Sequence, residues 1–285
     1  MAPDGFPHAH ELAEAVRESV RAALAEDVRT GDITAELIGP ETHARAEVIT
    51  RDDGVFCGAP WVLETCAQVD AAIEVTVHCA DGDRVSTGQT LCALEGPARG
   101  LVTAERTMLN FVQLLSGTAT ATRRYVDRIA GTGARVLDTR KTVPGLRMAQ
   151  KYAVHCGGGH NHRMGLFDAF LIKENHLAAA GGIAPAVARA RELHPGRSVE
   201  VEVENLAELD QALAAGADIA LIDNFSLEDT RAAVTLVGGR LKLEASGGIE
   251  EATVAEIAQT GVDYISLGVI TKKVEPLDLS MRFLD

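Results

Sequence analysis

The chain has 285 residues, 46% hydrophobic and only 4% aromatic, with a formal charge of -14 at pH 7. This length suggests one large or two smaller domains with an aliphatic core. The acidic balance excludes general nucleic-acid binding, and no apolar run approaches the length of about 18 residues that a membrane span needs. No signal-peptide pattern is present and the five cysteines are scattered, so we expect a cytoplasmic protein with reduced thiols.

The first part of the chain predicts a small α/β domain. Residues 11–26 have helical spacing, and residues 44–94 contain short β-like runs separated by DDG, DGD and STG turns. A long helical pattern follows over residues 104–130, and we expect Ser116-Gly117 to break or kink it. The pattern therefore predicts a first domain over residues 1–115.

Residues 116–270 alternate between short apolar runs and helical patterns, which is typical of βα units around a parallel sheet. The predicted strands are 134–138, 168–172, 199–203, 219–222, 241–244 and 263–267. The predicted helices between them are 182–193, 205–215, 227–237 and 250–260. Because about six strands are found rather than eight, an open, incomplete barrel and a complete one remain alternatives. The tail 271–285 lacks this rhythm, and we expect it to return to the first domain.

The predicted strands end in polar residues capable of chemistry. In βα barrels the active site lies at the C-terminal ends of the strands, so these side chains are expected to meet. In strand order, leaving out the third strand, they are Thr139, Arg140 and Lys141; Lys173; Asp223; Ser246, Gly247 and Gly248; and Gly268.

A cationic segment runs from Asp138 to His176 inside this acidic chain. It contains six Lys or Arg against three acids, together with four of the nine histidines. Such a segment concentrates positive potential locally and attracts a small anion. Arginine supplies planar forks for carboxylate or phosphate, and lysine supplies point charge. The segment therefore predicts a small, polyanionic substrate.

The third strand carries the sequence VEVEVEN at residues 199–205. Because side chains alternate across a strand, its valines are expected against the helical layer and its glutamates in the barrel interior. The alternative is a solvated edge strand. Interior glutamates need partners, and the candidates are Lys141, Lys173, Lys242 and a divalent metal. Glu202 and Asp223, on neighbouring strands, suit Mg²⁺.

Three further motifs leave alternatives open. Ser246-Gly247-Gly248 before a helical pattern offers a phosphate cradle at a helix N-terminus, or it is a simple turn. His160 and His162 are candidate zinc ligands without a recognisable third ligand, and anion binding by His162 and Arg163 fits better. Lys173 is alternatively a Schiff-base lysine of an aldolase.

The chain resembles the quinolinate phosphoribosyltransferases (nicotinate-nucleotide pyrophosphorylases, carboxylating). The resemblance covers roughly two thirds of the chain, in the motifs TAERTMLNFVQLLSGTAT, DTRKTVPGLR, QKY, CGGGHNHRMGLFDAFLIKENH, VEVEVEN, LIDN, EASGGI and DYISLGVIT. Two residues depart from the family's usual pattern. Val143 stands where threonine is common, and His155 stands where many members have arginine, which changes the charge of that segment.

The resemblance implies a type II phosphoribosyltransferase, with an N-terminal α/β sandwich domain and an open, incomplete parallel α/β barrel. The implied reaction joins quinolinate to 5-phosphoribosyl-1-pyrophosphate. Its products are nicotinate mononucleotide, pyrophosphate and CO₂, in de novo NAD synthesis. The resemblance also implies a homodimer, or a larger assembly built from it, in which Arg106 reaches into the partner's site.

Matching motifs assign roles to individual residues. For quinolinate they are Arg106, Thr139, Arg140, His162, Arg163 and Lys173. For phosphoribosyl pyrophosphate they are Lys141, Lys173, Glu202, Asp223, Ser246, Gly247, Gly248 and Gly268. The catalytic residues are Lys141, Glu202 and Asp223, and the Mg²⁺ ligands are Glu202 and Asp223. We expect these groups to act by position and charge and not as a proton relay.

Two alternatives to this assignment keep the barrel. In the first, the acceptor is nicotinate or another carboxylated base, although the number of cationic groups favours a dicarboxylate. In the second, the chain is a non-catalytic sensor of a phosphosugar or a dicarboxylate.

Overall fold

The computed structural model describes residues 6–284, and the chain divides into two compact units. The first unit contains the chain up to Arg123, the segment 142–158 and the chain from Val269 onward. The second unit contains the segments 124–141 and 159–268.

Helices and strands are numbered here in chain order. Helices α1 to α10 are Ala9–Asp27, Ala59–Val69, Ala98–Arg128, Arg147–Cys156, Glu174–Ala180, Ile183–Leu193, Leu206–Ala214, Leu227–Val237, Val254–Ala258 and Val269–Lys272. Strands β1 to β12 are His43–Thr50, Gly54–Val55, Glu74–Val77, Arg84–Val85, Thr90–Pro97, Arg135–Leu137, Phe170–Ile172, Val199–Val203, Ile219–Asp223, Lys242–Ser246, Tyr264–Ser266 and Leu279–Leu284.

The first unit is built on an antiparallel sheet with the strand order β12-β1-β5-β3. The last strand pairs with the first, with Val48 opposite Met281. In β1 every second side chain is buried, including Ala46 and Val48, and this face joins an aliphatic cluster with Leu94 and Met108. Burial of one face of the sheet against α3 follows from the two-residue period of a strand.

Helix α3 runs from Ala98 to Arg128 without interruption, so a break at Ser116-Gly117 is wrong, while a kink there stays a prediction. The Ser116 hydroxyl accepts a hydrogen bond from the Cys57 N–H at 3.0 Å and donates one to the Cys57 carbonyl at 3.2 Å. A Cβ atom at Gly117 would lie 2.2 Å from the carbonyl oxygen of Glu275. Because Ser116 and Gly117 are small, the backbone of Cys57 and of Glu275 can lie directly against the helix surface.

We expect Gly117→Ala to destabilise the first unit by about 1–3 kcal/mol, because the added methyl group overlaps backbone that cannot rotate away. Gly133→Ala is the matched control, since a Cβ at Gly133 meets no atom within 4 Å. Urea denaturation followed by circular dichroism measures both variants. Equal midpoints for the two variants would contradict the packing role of Gly117.

The second unit contains a six-stranded parallel sheet with the order β6-β11-β10-β9-β8-β7. No pairing within residues 6–284 joins β6 to β7, so the open, incomplete barrel is confirmed. Strand β8 lies between β7 and β9, so the edge-strand alternative for VEVEVEN is wrong. The three valines of β8 are fully buried, and Glu200 is 3% exposed.

The structure also describes the apolarity of the helices and the state of the cysteines. None of the helices in the described part of the chain combines the length and apolarity that crossing a bilayer requires. All five cysteines are free thiols, and four of them are buried.

Candidate functional site

A cavity of about 410 Å³ opens at the C-terminal ends of the strands in the second unit. Its wall brings together side chains from the segment after β6, from the segments on either side of β7, and from β8, β9 and β10. Nine of the predicted site residues line it: Thr139, Arg140, Lys141, His162, Arg163, Lys173, Glu202, Asp223 and Ser246.

The predicted glycines lie beside the cavity residues. A Cβ atom at Gly268 would come within 2.9 Å of the Lys141 side chain, so glycine makes room for that lysine. A Cβ atom at Gly247 would lie 2.1 Å from the side-chain oxygen of Asn224. At both positions a larger residue would overlap a neighbouring side chain, which explains the glycine.

The predicted helix N-terminus after Ser246-Gly247-Gly248 is wrong. The next helix, α9, begins only at Val254 and has five residues. Gly247 and Gly248 have φ values of 94° and 55°, in the left-handed region that glycine adopts without strain. The motif is therefore a turn at the end of β10.

Arg106 belongs to the first unit and lines a different cavity, of about 250 Å³, with Glu26 and Asp27. Its side chain is 60% exposed, and its nearest acidic contact is Glu105 at 3.8 Å. The residues that line the larger cavity all belong to the second unit.

The acidic side of the larger cavity is formed at two neighbouring strand ends. Glu202 on β8 forms an ion pair with Lys173, which precedes α5. Asp223 ends β9 and accepts a hydrogen bond from the Asn224 side-chain amide at 2.7 Å. Lys242, also expected as a partner for the glutamates, is instead paired with Asp263 at 2.6 Å.

The cationic side of the cavity holds two arginines. Burial lowers the pKa of Arg163, and the nearby positive charge of Arg140 lowers it further. Arg163 is held in place by a hydrogen bond from Nη1 to the Ala169 carbonyl at 3.1 Å. Two neighbouring guanidinium groups repel each other, so an anion between them relieves the repulsion. With Lys141 and Lys173, they give the cavity wall a group of positive charges that suits a small polyanion.

Two residues outside the predicted site also contribute to it, since Glu244 lines the cavity and Glu200 contacts His162. Glu200 on β8 and Glu244 on β10 are 3% and 1% exposed and lie beside His162. Burial, followed by the charge of Glu200, raises the pKa of Glu244 to about 8. The alternation in VEVEVEN predicted an interior Glu200. The only signal for Glu244 was an acid inside the apolar run of β10.

The raised pKa of Glu244 makes stability depend on pH. Its unfolded value is near 4.5 and its folded value about 8, so between these values the folded state holds the extra proton. Stability then falls as pH rises from about 5 to 8. Glu244→Gln removes this change in stability, which is on the order of 3 kcal/mol between pH 5 and pH 8. Urea denaturation midpoints at pH 5 and pH 8 measure this change in stability. Glu204→Gln, which alters an exposed acid, is the control. A slope unchanged in Glu244→Gln would contradict the assignment.

Asp138, also outside the predicted site, fixes the segment that carries His162. It is fully buried at the end of β6. One carboxylate oxygen accepts the His162 backbone N–H at 2.9 Å, and the other accepts the Asn161 side-chain amide at 2.6 Å. The backbone of His160 runs parallel to β6 at Leu137. The segment is thus attached to the sheet as a short extension.

Comparison with known families agrees with this arrangement. The model "Quinolinate phosphoribosyl transferase, C-terminal domain" matches residues 118–282. The model of the N-terminal domain of the same enzyme matches residues 32–116. The chain belongs to the quinolinate phosphoribosyltransferase family.

Relatives match over nearly the whole chain. A nicotinate-nucleotide pyrophosphorylase [carboxylating] of Mycobacterium leprae is 44% identical, covering 94% of this chain and 97% of the relative. A probable enzyme of the same name from Bacillus subtilis is 42% identical, covering 90% and 89%. The solved nicotinate-nucleotide pyrophosphorylase of Francisella tularensis is 50% identical with a TM-score of 0.93, covering 95% and 97%.

The two departures from the quinolinate phosphoribosyltransferase pattern lie in the first unit and do not line the 410 Å³ cavity. Val143 is 37% exposed. His155 lies in the last turn of α4, with its ring centroid 5.6 Å from that of Phe6. His155 therefore packs against an aromatic ring of its own unit.

Proposed function

We propose that this protein transfers the phosphoribosyl group of phosphoribosyl pyrophosphate to quinolinate and releases CO₂. One observation carries the proposal: arginines and lysines line the same cavity of about 410 Å³ as the strand-end carboxylates. Such a cavity suits a dicarboxylate on one side and a sugar phosphate on the other. The names of the relatives support the same reaction. Family membership removes the aldolase alternative for Lys173.

The base side of the cavity is proposed to bind quinolinate through its two carboxylates. Planar guanidinium groups form paired hydrogen bonds with carboxylates, and the lysine adds a point charge. The side chains available in this chain are Thr139, Arg140, His162, Arg163 and Lys173.

The sugar side is proposed to bind phosphoribosyl pyrophosphate. Ser246 lies opposite Asp223 in the β9–β10 register, so both reach the same strand edge. The turn at Gly247 and Gly248 presents backbone amides for phosphate. Lys141, beside Gly268, and Lys173 supply the positive charge.

Glu202 and Asp223 are proposed to hold Mg²⁺ as well. Both carboxylates line the open cavity, on adjoining strands. This donor set fits an ion that takes one or two carboxylates and completes its shell with water and phosphate oxygens. Because Glu202 is also paired with Lys173, a metal would share that carboxylate with the lysine. When bound, the ion would neutralise the pyrophosphate.

The proposed reaction needs position and charge more than a side-chain base. The pyridine nitrogen attacks C1 of the ribose and pyrophosphate leaves, while Glu202 and Asp223 stabilise the positive charge on the sugar. In the product, the pyridinium accepts the electron pair released when the 2-carboxylate departs as CO₂. A proton then adds to C2. The catalytic roles of Lys141, Glu202 and Asp223 are electrostatic in this scheme.

A homodimer is proposed to complete the base site with Arg106 of the partner subunit. The exposure of Arg106 supports this, because an arginine on a helix surface is free to enter another subunit. A larger assembly built from the dimer, and a cytoplasmic location, stay predictions.

Mixing two inactive variants tests the shared site. We expect Arg106→Ala and Lys173→Ala to be inactive alone and to regain about a quarter of wild-type activity when mixed in equal amounts. Half of the dimers are then mixed, and one of their two sites is intact. Native mass spectrometry confirms subunit exchange. Exchange without recovery of activity would exclude a contribution of Arg106 from the partner.

The acceptor base is tested by measuring mononucleotide formation from quinolinate and from nicotinate, each with phosphoribosyl pyrophosphate and Mg²⁺. We expect turnover of quinolinate and little turnover of nicotinate. The reverse preference would retain the family and change the substrate. Binding of both substrates without turnover over hours would favour a sensor.

A further inference from the structure

Two buried glutamates with no role in the proposed reaction lie against His162. The Oε2 atom of Glu200 is 2.8 Å from Nε2 of His162, and the Oε2 atom of Glu244 is 3.5 Å away. Glu200 Oε1 is buried without a hydrogen-bond partner among the described residues, and the side chain of Glu244 lies beside Ser266 and Glu200. Buried carboxyl groups are costly, so their retention here needs a reason.

Hydrogen bonding fixes the tautomer of His162. The backbone N–H of Arg163 donates to Nδ1 at 2.7 Å. A backbone amide can only donate, so Nδ1 carries no proton and the ring proton is on Nε2. Nε2–H then donates to Glu200 at 2.8 Å. Both ring nitrogens are therefore used inside the protein.

The same contacts argue against a metal ion among these three side chains. Their ligand atoms lie within 4.8 Å of one another, as in a metal cluster. However, a protonated Nε2 has no lone pair for a metal, and 2.8 Å from Glu200 is a hydrogen-bond distance. The three side chains therefore form a hydrogen-bonded group around a neutral histidine and not a set of metal ligands.

We propose that Glu200 and Glu244 are positioning residues that hold His162 as a neutral ring, with its N–H directed at the barrel interior. Given the proposed function, the base carboxylates then take their hydrogen bonds from Arg140, Arg163 and Lys173. His162 meets the base only through its ring face or a C–H edge. The predicted role of His162 as an anion ligand is thereby refined. His162 is instead an uncharged side chain, fixed in place, that lines the cavity.

The hydrogen bonds that hold the His162 ring also fix the backbone of Arg163. The His162 N–H is bound by Asp138, and the next N–H, of Arg163, is bound by the ring itself. Release of the ring therefore frees the backbone that carries a base-binding guanidinium.

We expect Glu200→Ala to raise the quinolinate KM about tenfold with a smaller change in kcat, because the arginine is misplaced and not lost. Glu204→Gln, which alters an exposed acid of the same VEVEVEN repeat, is the control and is expected to keep the wild-type KM.

Nitrogen NMR of protein labelled with ¹⁵N-histidine tests the proposal directly. A His162→Gln sample identifies the signals of His162 by their disappearance. The expected result at pH 7 is the neutral Nε2–H tautomer, unchanged on addition of quinolinate and retained in Glu244→Gln. In Glu200→Ala the ring is expected to exchange between tautomers.

Two results would overturn the proposal. One is an imidazolium ring at pH 7. The other is a ring-nitrogen shift on quinolinate addition comparable to that between tautomers. The wild-type spectrum suffices for this decision, so a variant that fails to fold leaves the test intact. The tautomer is read without turnover, whereas failure of the proposed function would appear as absence of quinolinate turnover.

Discussion

Arg140→Ala is expected to weaken quinolinate binding by about 2–5 kcal/mol, because a substrate carboxylate is left without its charged partner in the cavity. Arg140 lines the cavity beside Arg163, and its charge already lowers the pKa of that neighbour. Arg140→Lys keeps the charge but loses the planar fork, so we expect an intermediate loss. Isothermal titration calorimetry with quinolinate measures all three proteins.

The matched control is Arg189→Ala, which removes an exposed arginine of α6 in the same unit. Its affinity for quinolinate is expected to equal that of the wild type. Unchanged affinity in Arg140→Ala, with the fold intact by circular dichroism, would mean that the base site is elsewhere.

Glu202→Gln is expected to lower kcat by about 10²–10³-fold, with a small effect on quinolinate affinity. The substitution keeps size and hydrogen bonding but removes the charge that opposes the developing positive sugar. It also removes the ion pair with Lys173, which lines the same cavity. Steady-state kinetics with both substrates, together with calorimetry for quinolinate, separate turnover from binding.

Glu204→Gln is the control for this change, because Glu204 belongs to the same VEVEVEN repeat but is exposed beyond the end of β8. It is expected to retain wild-type kcat. Equal rates for Glu202→Gln and the wild type would exclude an electrostatic role for Glu202 and would leave Asp223 to be tested alone.

The open barrel was predictable because each βα unit has a strong local pattern. Valines alternating with glutamates place β8 inside a sheet, and polar residues follow nearly every strand. Parallel strands bring those ends together. Nine of the residues that line the cavity could therefore be grouped from the sequence without any long-range contact being known.

The remaining features depend on tertiary contacts that no local pattern encodes. Ser116-Gly117 looks like a break because both residues disfavour helices, yet packing of Cys57 and Glu275 against them keeps α3 continuous. Glu244 and Asp138 acquire their roles only when distant segments place His162 between them. The tautomer of His162 likewise depends on three-dimensional hydrogen bonding.

The most direct test of the central claim is release of labelled CO₂ from quinolinate that carries ¹⁴C in its 2-carboxylate. The assay contains phosphoribosyl pyrophosphate and Mg²⁺, and each component is omitted in turn. We expect release that requires all three components and matches nicotinate mononucleotide formation one to one. Absence of release by folded protein with all three components would contradict the assignment of this cavity to decarboxylating phosphoribosyl transfer.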